Sequence, residues 1–392
     1  MIRNYRIVLL LTLVSIQVSF AQTSIQFEDG NLKTAFERSK TEHKPVLLLC
    51  YASWCPHCAA MKETVFNKHE VAKFYNQHFI CIQQDMEKGL GPEMHKTFNI
   101  SSYPTFIFMD SSYTVIYRTT GEFKVQSFIQ EGKNALTPQM QLPYLKKKFE
   151  MDVRNSYNCY SYLRALKKGG IDYTDLVKSY FATQTDKQLL SAINWQIFTN
   201  GIDDINTREY RFVLSHLKEY ETIASPERVQ RKLSYTAKSI LTPLVEANDT
   251  VNYRINRKQL SEIQNFKIDS LIFTYDITIN KYNENWDAYR KITLLSTEKY
   301  VWNDYNQLNE IADVYQKNIS DSKALIQSIK WIKRSLSIQP EYGTYLICAR
   351  LYKKLSDIPN AIAMVKQAED VALKYDWNHT EADTLLKELQ QK

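Results

Sequence analysis

The hydrophobic and polar positions in the first third of the chain switch repeatedly between helical and strand-like spacing. Short apolar runs are typical of buried strands, whereas apolar residues recurring every three or four positions indicate one face of a helix. Between about Thr23 and Leu136 this pattern predicts the order αβαβαββα. Helices are expected at 31–43, from Cys55 to about 67, around 71–75, at 91–98 and at 124–136. Strands are expected at 46–52, 79–85, 104–109 and 115–117.

From Pro138 onward the chain keeps a helical periodicity to its end, while tyrosine becomes frequent and glycine and proline become rare. We therefore predict an α/β domain over 22–137, an α-helical domain over 138–305 and helical repeats over 306–392. In the last of these regions, small, aromatic and aliphatic residues recur at a constant spacing of 37 positions. The pairs are Ala312 and Ala349, Tyr315 and Tyr352, Ala324 and Ala361, Leu325 and Ile362, Ser335 and Ala372, and Leu336 and Leu373.

This spacing resembles the tetratricopeptide repeat, slightly lengthened from its usual roughly 34 residues. Two recognisable repeats are fewer than the three or so that a solenoid needs, so 138–305 is expected to supply degenerate helical pairs. An irregular α-helical domain is the alternative interpretation.

The segment Trp54-Cys55-Pro56-His57-Cys58 carries the most specific chemistry of the sequence. It follows an apolar run and opens a helical stretch, which places the first sulfur among the unpaired N–H groups at the positive end of a helix, where a thiolate is favoured. Thiolate is the form that attacks disulfides. Pro56 suits the first helical turn, and His57 could offer a positive charge or a hydrogen bond to the Cys55 sulfur. The motif predicts thiol–disulfide exchange.

Two other uses of the cysteine pair are weaker interpretations. A purely structural Cys55–Cys58 disulfide would close a loop too short to stabilise the fold much. A zinc site needs four ligands, and this segment offers two thiols, so we predict no metal and no cofactor. Cys50 and Cys81 lie in strand-like runs and are expected to be small core residues, whereas a Cys159–Cys348 bridge stays open.

The N-terminus has the features of a secretory signal peptide. Arg3 and Arg6 precede an apolar core at 7–13, and Ser19-Phe20-Ala21 supplies the small residues of a cleavage site. We expect cleavage after residue 21, with an uncleaved anchor as the alternative, and no membrane span afterwards. The mature protein is therefore predicted to be periplasmic or secreted, where a C-x-x-C can cycle as a disulfide.

The formal charge of +7 comes from scattered lysines and arginines rather than from a basic stripe. Clustered basic residues are the usual sign of nucleic-acid binding, so no nucleic-acid partner is predicted.

With these elements in place, residues 23–136 resemble a thioredoxin-fold domain, a central mixed sheet flanked by helices. The resemblance depends on Trp54-Cys55-Pro56-His57-Cys58 and on Tyr103-Pro104-Thr105 at the start of a later strand. The surrounding residues are similar to the branch that includes the C-terminal domain of the periplasmic reductant carrier DsbD. The resemblance covers under a third of the chain.

The resemblance implies a role for each residue of the motifs. Cys55 would be the exposed nucleophile that forms a mixed disulfide with a client, and the more buried Cys58 would resolve it. The two would alternate between dithiol and a redox-active disulfide. Pro104, following Tyr103, would be cis and would turn the backbone towards the client, and Trp54 would cap the active-site surface.

Two departures from the family bear on mechanism and direction. Thioredoxins and many relatives place an acid six residues before the nucleophile, where this chain has Leu49. The Pro56-His57 dipeptide is similar to that of the periplasmic oxidase DsbA, whereas the framework is similar to a reductant carrier. The direction of electron flow therefore stays open. Asp85, at a strand end, is expected to form a turn or cap a helix, with a functional role as the alternative.

Two functions follow as hypotheses. The first is an exported thiol–disulfide oxidoreductase whose partners are client thiols or disulfides and a further redox protein. The second is a helical-repeat scaffold that binds a protein or peptide, with a weakly active thioredoxin-like domain attached; the leucine at 49 favours it.

Overall fold

A computed structural model describes residues 24–29 and 31–391. The chain forms two compact units, the first ending at Ala224 and the second beginning at Ser225. The predicted domain boundaries at 137/138 and 305/306 lie inside these units and stay predictions. The signal peptide predicted for 1–21 lies outside the described residues.

The first unit contains a mixed five-stranded sheet in the order β1-β3-β2-β4-β5. Strand β2 pairs in parallel with β3, and β4 pairs antiparallel with both β2 and β5. The two-residue strand β1 lies at the edge beside β3. The strands are β1 (Glu28–Asp29), β2 (Val46–Tyr51), β3 (Ile80–Asp85), β4 (Thr105–Met109) and β5 (Val115–Thr120).

Helices cover both faces of this sheet because successive residues of its buried strands point to opposite sides. Leu47, Leu49 and Phe106 belong to one core, which packs against the helices after the cysteine motif. Leu48 and Ile107 belong to the other core, on the side of the first helix. The helices of this part are α1 (Leu32–Glu42), α2 (Pro56–Met61), α3 (His69–His78), α4 (Gly91–Thr97) and α5 (Val125–Leu136), with a π-helical turn at Lys62–Phe66.

The predicted order αβαβαββα and the thioredoxin-type layering are confirmed. The sequence pattern missed β1, because a two-residue edge strand has no alternation to recognise. It also missed the π-helical turn, which differs from an α-helix in hydrogen-bond register rather than in composition.

Seven more helices follow in the described part of the first unit, and two of them pack against the sheet edge at β5. Lys168, at the end of α7, places its ammonium group 2.6 Å from the buried Glu131 carboxylate of α5. Gly169 and Gly170 lie against Arg118 of β5. The helices are α6 (Leu142–Met151), α7 (Ser156–Lys168), α8 (Thr174–Phe181), α9 (Asp186–Leu189), α10 (Ala192–Gly201), α11 (Arg208–Ser215) and α12 (Leu217–Ile223), with a 3₁₀ turn at Pro138–Met140.

The second unit is all helical over its described residues, which confirms the predicted helical C-terminal region. No helix in the described part of the chain is long and apolar enough to span a membrane. The helices are α13 (Pro226–Glu246), α14 (Thr250–Ser261), α15 (Phe266–Tyr282), α16 (Trp286–Tyr300), α17 (Tyr305–Asn318), α18 (Ser322–Ile338), α19 (Tyr342–Lys354), α20 (Ile358–Lys374) and α21 (Thr380–Gln390).

Consecutive helices of this unit pack as pairs: α15 with α16, α17 with α18, and α19 with α20. The small residues noted at constant spacing, such as Ala312 and Ala349, are completely buried. Small side chains allow two helices to approach closely, and the aromatic Tyr315 fills the space beside them.

Candidate functional site

The Cys55 sulfur lies at the N-terminus of α2, directly after the turn that follows β2. Cys55 is the N-cap residue of this helix, with an extended backbone, and its sulfur accepts a hydrogen bond from the Cys58 N–H at 3.3 Å. Pro56 occupies the first helical turn, where the missing N–H leaves no unpaired donor. The helix end therefore presents a backbone donor and its positive dipole to this sulfur, an arrangement that favours negative charge on it.

The two sulfurs of the motif lie 2.8 Å apart as free thiols. Burial and the hydrogen bond with Cys55 raise the pKa of the Cys58 thiol to about 12. The pair is thus close enough to form a disulfide with a small side-chain movement, and its two members sit in electrostatically different environments.

The exposure of the two cysteines differs from the expectation that Cys55 is the exposed member. Cys55 is only 4% exposed, whereas Cys58 is partly exposed. Cys55 is buried because a capping residue lies inside the turn before its helix. Both cysteines line one cavity of about 840 Å³.

Pro104 lines the same cavity and follows a cis peptide bond from Tyr103, as the resemblance implied. Its neighbour Thr105 begins β4 and pairs with Cys50 of β2, so the sheet fixes the proline loop beside the cysteine turn. Tyr103 packs edge-on against Trp54, with ring centroids 6.1 Å apart.

Trp54 is exposed over 65% of its surface and is held at its polar end. Its indole N–H donates a hydrogen bond of 2.7 Å to the Glu87 carboxylate, in the loop after β3. One residue on, the Lys88 ammonium donates to the Ser53 hydroxyl at 3.1 Å. The loop after β3 is therefore attached at two points to the turn that carries Cys55.

Asp85 forms the turn that starts this loop, in agreement with the structural interpretation. Its carboxylate accepts the Glu87 N–H at 3.1 Å and lies 3.2 Å from the Lys88 ammonium. Although burial raises its pKa, the hydrogen bonds from the Glu87 N–H and from Lys88 lower it below the ordinary value. Asp85 is absent from the lining of the thiol cavity.

His57 does not have the partner that the sequence suggested. Its Nδ1 lies 2.9 Å from the Glu122 carboxylate, in the segment between β5 and α5, and the side chain is largely exposed. This contact with Glu122 stands in place of the hydrogen bond to the Cys55 sulfur, because position 57 on the first turn of α2 projects to a different side from the capping sulfur.

The cavity is lined by an apolar side chain at the position where thioredoxins and many relatives carry an acid, six residues before the first cysteine. Leu49 of β2 lines it, next to its register partner Gln83 of β3. The remaining lining residues are Ser24, Ile25, Gln26, Phe27, Tyr51, Ala52, Ser53, Ala59, Lys62, Glu63, Phe66 and Asn67.

The other four cysteines are buried free thiols. Cys50 and Cys81 belong to the two cores of the sheet, as predicted. Burial raises the pKa of Cys50, Cys159 and Cys348 to about 12. Among the described residues, no three histidine, cysteine or acidic side chains are grouped so that they could hold a metal ion.

The sequence pattern gave no signal for several residues that the fold brings to this site. Glu87 and Glu122, the partners of Trp54 and His57, lie 33 and 65 positions away from them along the chain. Lys62 and Glu63 reach the cavity through the π-helical turn. Spacing within a predicted helix could have brought only the last two to attention.

Comparisons with known proteins support the thioredoxin resemblance over the same part of the chain. A family described as a thioredoxin-like domain matches residues 32–136. The mouse spermatogenesis-associated protein 20 is 35% identical over 78 residues, which make up 20% of this chain and 9% of that protein. The human anterior gradient protein 2 homolog is 26% identical over 99 residues, or 25% of this chain and 53% of that protein. The chain thus spans less than two thirds of either relative.

Solved structures similar to this chain cover its first part as well. A protein from Bacteroides thetaiotaomicron described as a candidate disulphide-isomerase is 32% identical, with 29% of this chain and 94% of that one covered and a TM-score of 0.28. The C-terminal domain of DsbD from Neisseria meningitidis, in its oxidised form, is 25% identical, with 26% and 92% covered and a TM-score of 0.24.

Proposed function

The chain carries a thioredoxin-like domain over residues 32–136, and from this premise we propose that it is a thiol–disulfide oxidoreductase that uses Cys55 and Cys58. The observation that supports this most directly is the capping position of Cys55, whose sulfur accepts a helix N–H and lies 2.8 Å from the Cys58 sulfur. Pro104 in the same cavity offers an adjacent backbone surface for an extended client.

The reaction balances within the pair. In the reducing direction the Cys55 thiolate attacks a client disulfide, forms the Cys55–client bond and releases one client thiolate, which takes up a proton. Cys58 then loses its proton, attacks the Cys55 sulfur and releases the second client thiolate. The client gains two electrons, and the pair becomes a disulfide. The oxidising direction is the reverse of the same steps.

Substitution of each cysteine tests this proposal. Cys55→Ser should abolish reduction of a model peptide disulfide by dithiothreitol-reduced protein, because the attacking sulfur is gone. Cys58→Ser should instead accumulate a mixed disulfide on Cys55, visible by mass spectrometry under non-reducing conditions. Cys348→Ala, in the second unit, serves as the control and should keep full activity. Full activity in Cys55→Ser would overturn the assignment.

The direction of electron flow and the compartment form the finer part of the proposal. We place the protein outside the cytoplasm on the strength of its N-terminal sequence, where a disulfide cycle can run. Equilibration in glutathione buffers gives the reduction potential of the pair. A value of about −270 mV would make it a reductant that needs an electron supply, and one of about −120 mV would make it an oxidant. Cell fractionation of the full-length chain tests export.

A second function, partner binding by the second unit, is favoured by its paired helices. We propose that α15 to α20 form three tetratricopeptide-like pairs, followed by α21 as a terminal helix. A cavity of about 490 Å³ lies among α15, α16 and α17, and Tyr282 at its rim is 76% exposed.

The Cys58→Ser variant also tests this second function. If the helical unit recruits clients, Cys58→Ser/Tyr282→Ser should trap fewer cellular proteins than Cys58→Ser, while a short peptide disulfide is trapped equally by both. Equal trapping of cellular proteins would count against recruitment through this cavity.

A further inference from the structure

The resolving step needs a proton acceptor, because Cys58 can attack only as a thiolate. In the reduced pair, burial and then the hydrogen bond with Cys55 raise its pKa to about 12, and the burial, which is the larger cause, remains when Cys55 is bonded to a client. At neutral pH the thiol is therefore almost entirely protonated. The sheet beneath the pair supplies no acceptor, since the paired residues there are Leu49 and Gln83.

The cavity beside the sulfurs does contain a carboxylate. Among the described residues that line it, Glu63 alone has a carboxylic acid side chain. The other ionisable groups of that lining, besides the two thiols, are the Lys62 ammonium and the Tyr51 phenol. An ammonium group has no lone pair with which to accept a proton, and a neutral phenol accepts one far less readily than a carboxylate.

The π-helical turn accounts for the position of Glu63. The helix begins at Cys55 and is α-helical through Met61, after which Lys62–Phe66 form a wider turn. Glu63 lies in this wider turn, and Cys58 lies in the α-helical part that precedes it. Both residues line the same cavity, and its volume of about 840 Å³ leaves room for water between them.

We propose that Glu63 accepts the proton of Cys58 through water in this cavity when Cys58 attacks the mixed disulfide. This rests on the proposed function. The proton passes from the Cys58 sulfur through water to the Glu63 carboxylate, the Cys55–Cys58 bond forms, and the Cys55–client bond breaks. The departing client thiolate then takes a proton from solvent, and Glu63 returns its own to the cavity water.

The other titratable groups facing Cys58 do not provide this path. Cys55 is bonded to the client at this stage. The phenol of Tyr103, on the proline loop, is neutral because burial, followed by the negative charge of Glu87, raises its pKa. His57 contacts Glu122 through its Nδ1 and is absent from the lining of the cavity.

The lifetime of the mixed disulfide tests the proposal. Reduced protein is mixed with an excess of a model peptide disulfide, quenched in acid at millisecond intervals, and analysed by mass spectrometry for the Cys55–peptide adduct. In Glu63→Gln the adduct should persist about ten- to a hundredfold longer at pH 7, since general bases commonly contribute that much or more. Glu63→Asp should recover part of the rate.

The pH dependence separates proton transfer from a structural role. Resolution in the unmodified protein should change little between pH 6 and 8, because Glu63 rather than solvent hydroxide takes the proton. In Glu63→Gln it should rise about tenfold per pH unit, because only hydroxide or solvent can then take the proton. Glu37→Gln, on the exposed side of α1 and outside the cavity, is the matched control and should leave both profiles unchanged.

Two results distinguish failure of this inference from failure of the proposed function. If Glu63→Gln resolves the adduct as fast as the unmodified protein, with the same pH profile, Glu63 is not the acceptor, while an adduct trapped by Cys58→Ser still supports the oxidoreductase. If no adduct forms on Cys55 in any variant, the oxidoreductase assignment itself is wrong.

Discussion

Removal of the Lys168 ammonium should destabilise the first unit. It leaves the buried carboxylate of Glu131, 37 positions away in the sequence, without its charged partner. Glu131 of α5 is only 6% exposed. Its oxygens contact the Lys168 ammonium at 2.5 and 2.6 Å and accept a hydrogen bond of 2.6 Å from the Tyr117 hydroxyl. Lys168→Met keeps most of the aliphatic length but leaves the carboxylate with a single strong donor.

The expected cost follows from the burial of the two partners. Removing one member of a fully buried ion pair costs about 3–5 kcal/mol. The Lys168 side chain is 38% exposed, so water can approach the carboxylate once the ammonium is gone. Discounted for that screening, Lys168→Met should lower the free energy of unfolding of the first unit by about 1–3 kcal/mol.

The measurement must report on the first unit alone, because two compact units need not unfold in one transition. Hydrogen exchange of peptides from α5 and β5 in a urea series provides such a report. Lys168→Met/Glu131→Gln should recover most of the lost stability, since it removes the charge along with its partner. A Lys168→Met protein within about 0.5 kcal/mol of the unmodified one would refute the reasoning.

Further predictions concern thiol reactivity and packing. In the folded, reduced protein a small thiol reagent should modify only the motif pair, and denaturant should release four further thiols: Cys50, Cys81, Cys159 and Cys348. In Cys55→Ala, alkylation of Cys58 should quicken about tenfold per pH unit from pH 7 to 10, because burial, the main cause of its raised pKa, remains; a flat rate would contradict this. Gly91→Ala should cost about 2 kcal/mol or more in a urea titration, since a Cβ there would lie 2.0 Å from the Asp85 carbonyl oxygen. Its control Gly343→Ala, in open space within α19, should be neutral or stabilising.

Much of the thioredoxin-like fold was predictable because its local signals agree with its tertiary structure. The apolar run at 46–51 is buried on both faces of the sheet, as such runs are in a parallel interior strand. The strand beginning at Thr105 follows Pro104, which cannot donate to a ladder, so the sequence marks its start.

The site was predictable where chemistry is local and unpredictable where it depends on folding. The capping position of Cys55 follows from a C-x-x-C after a strand, and the structure confirms it. The exposure of Cys55 and the partner of His57 depend on which segments lie beside α2, which spacing along the chain does not encode. Glu63 lies within the helix predicted after the motif, but the sequence pattern did not show that its π-helical turn lines the cavity.

The paired helices of the second unit bear on how the chain acquires its structure. Most of its contacts join helices that follow one another directly, such as α17 with α18 and α19 with α20. Chains rich in such local contacts fold quickly, because little loop entropy is lost before each contact forms. The first unit must instead bring β1 to β3 and Lys168 to Glu131 across long separations. We therefore expect the second unit to reach its native packing sooner than the unit that holds the thiols.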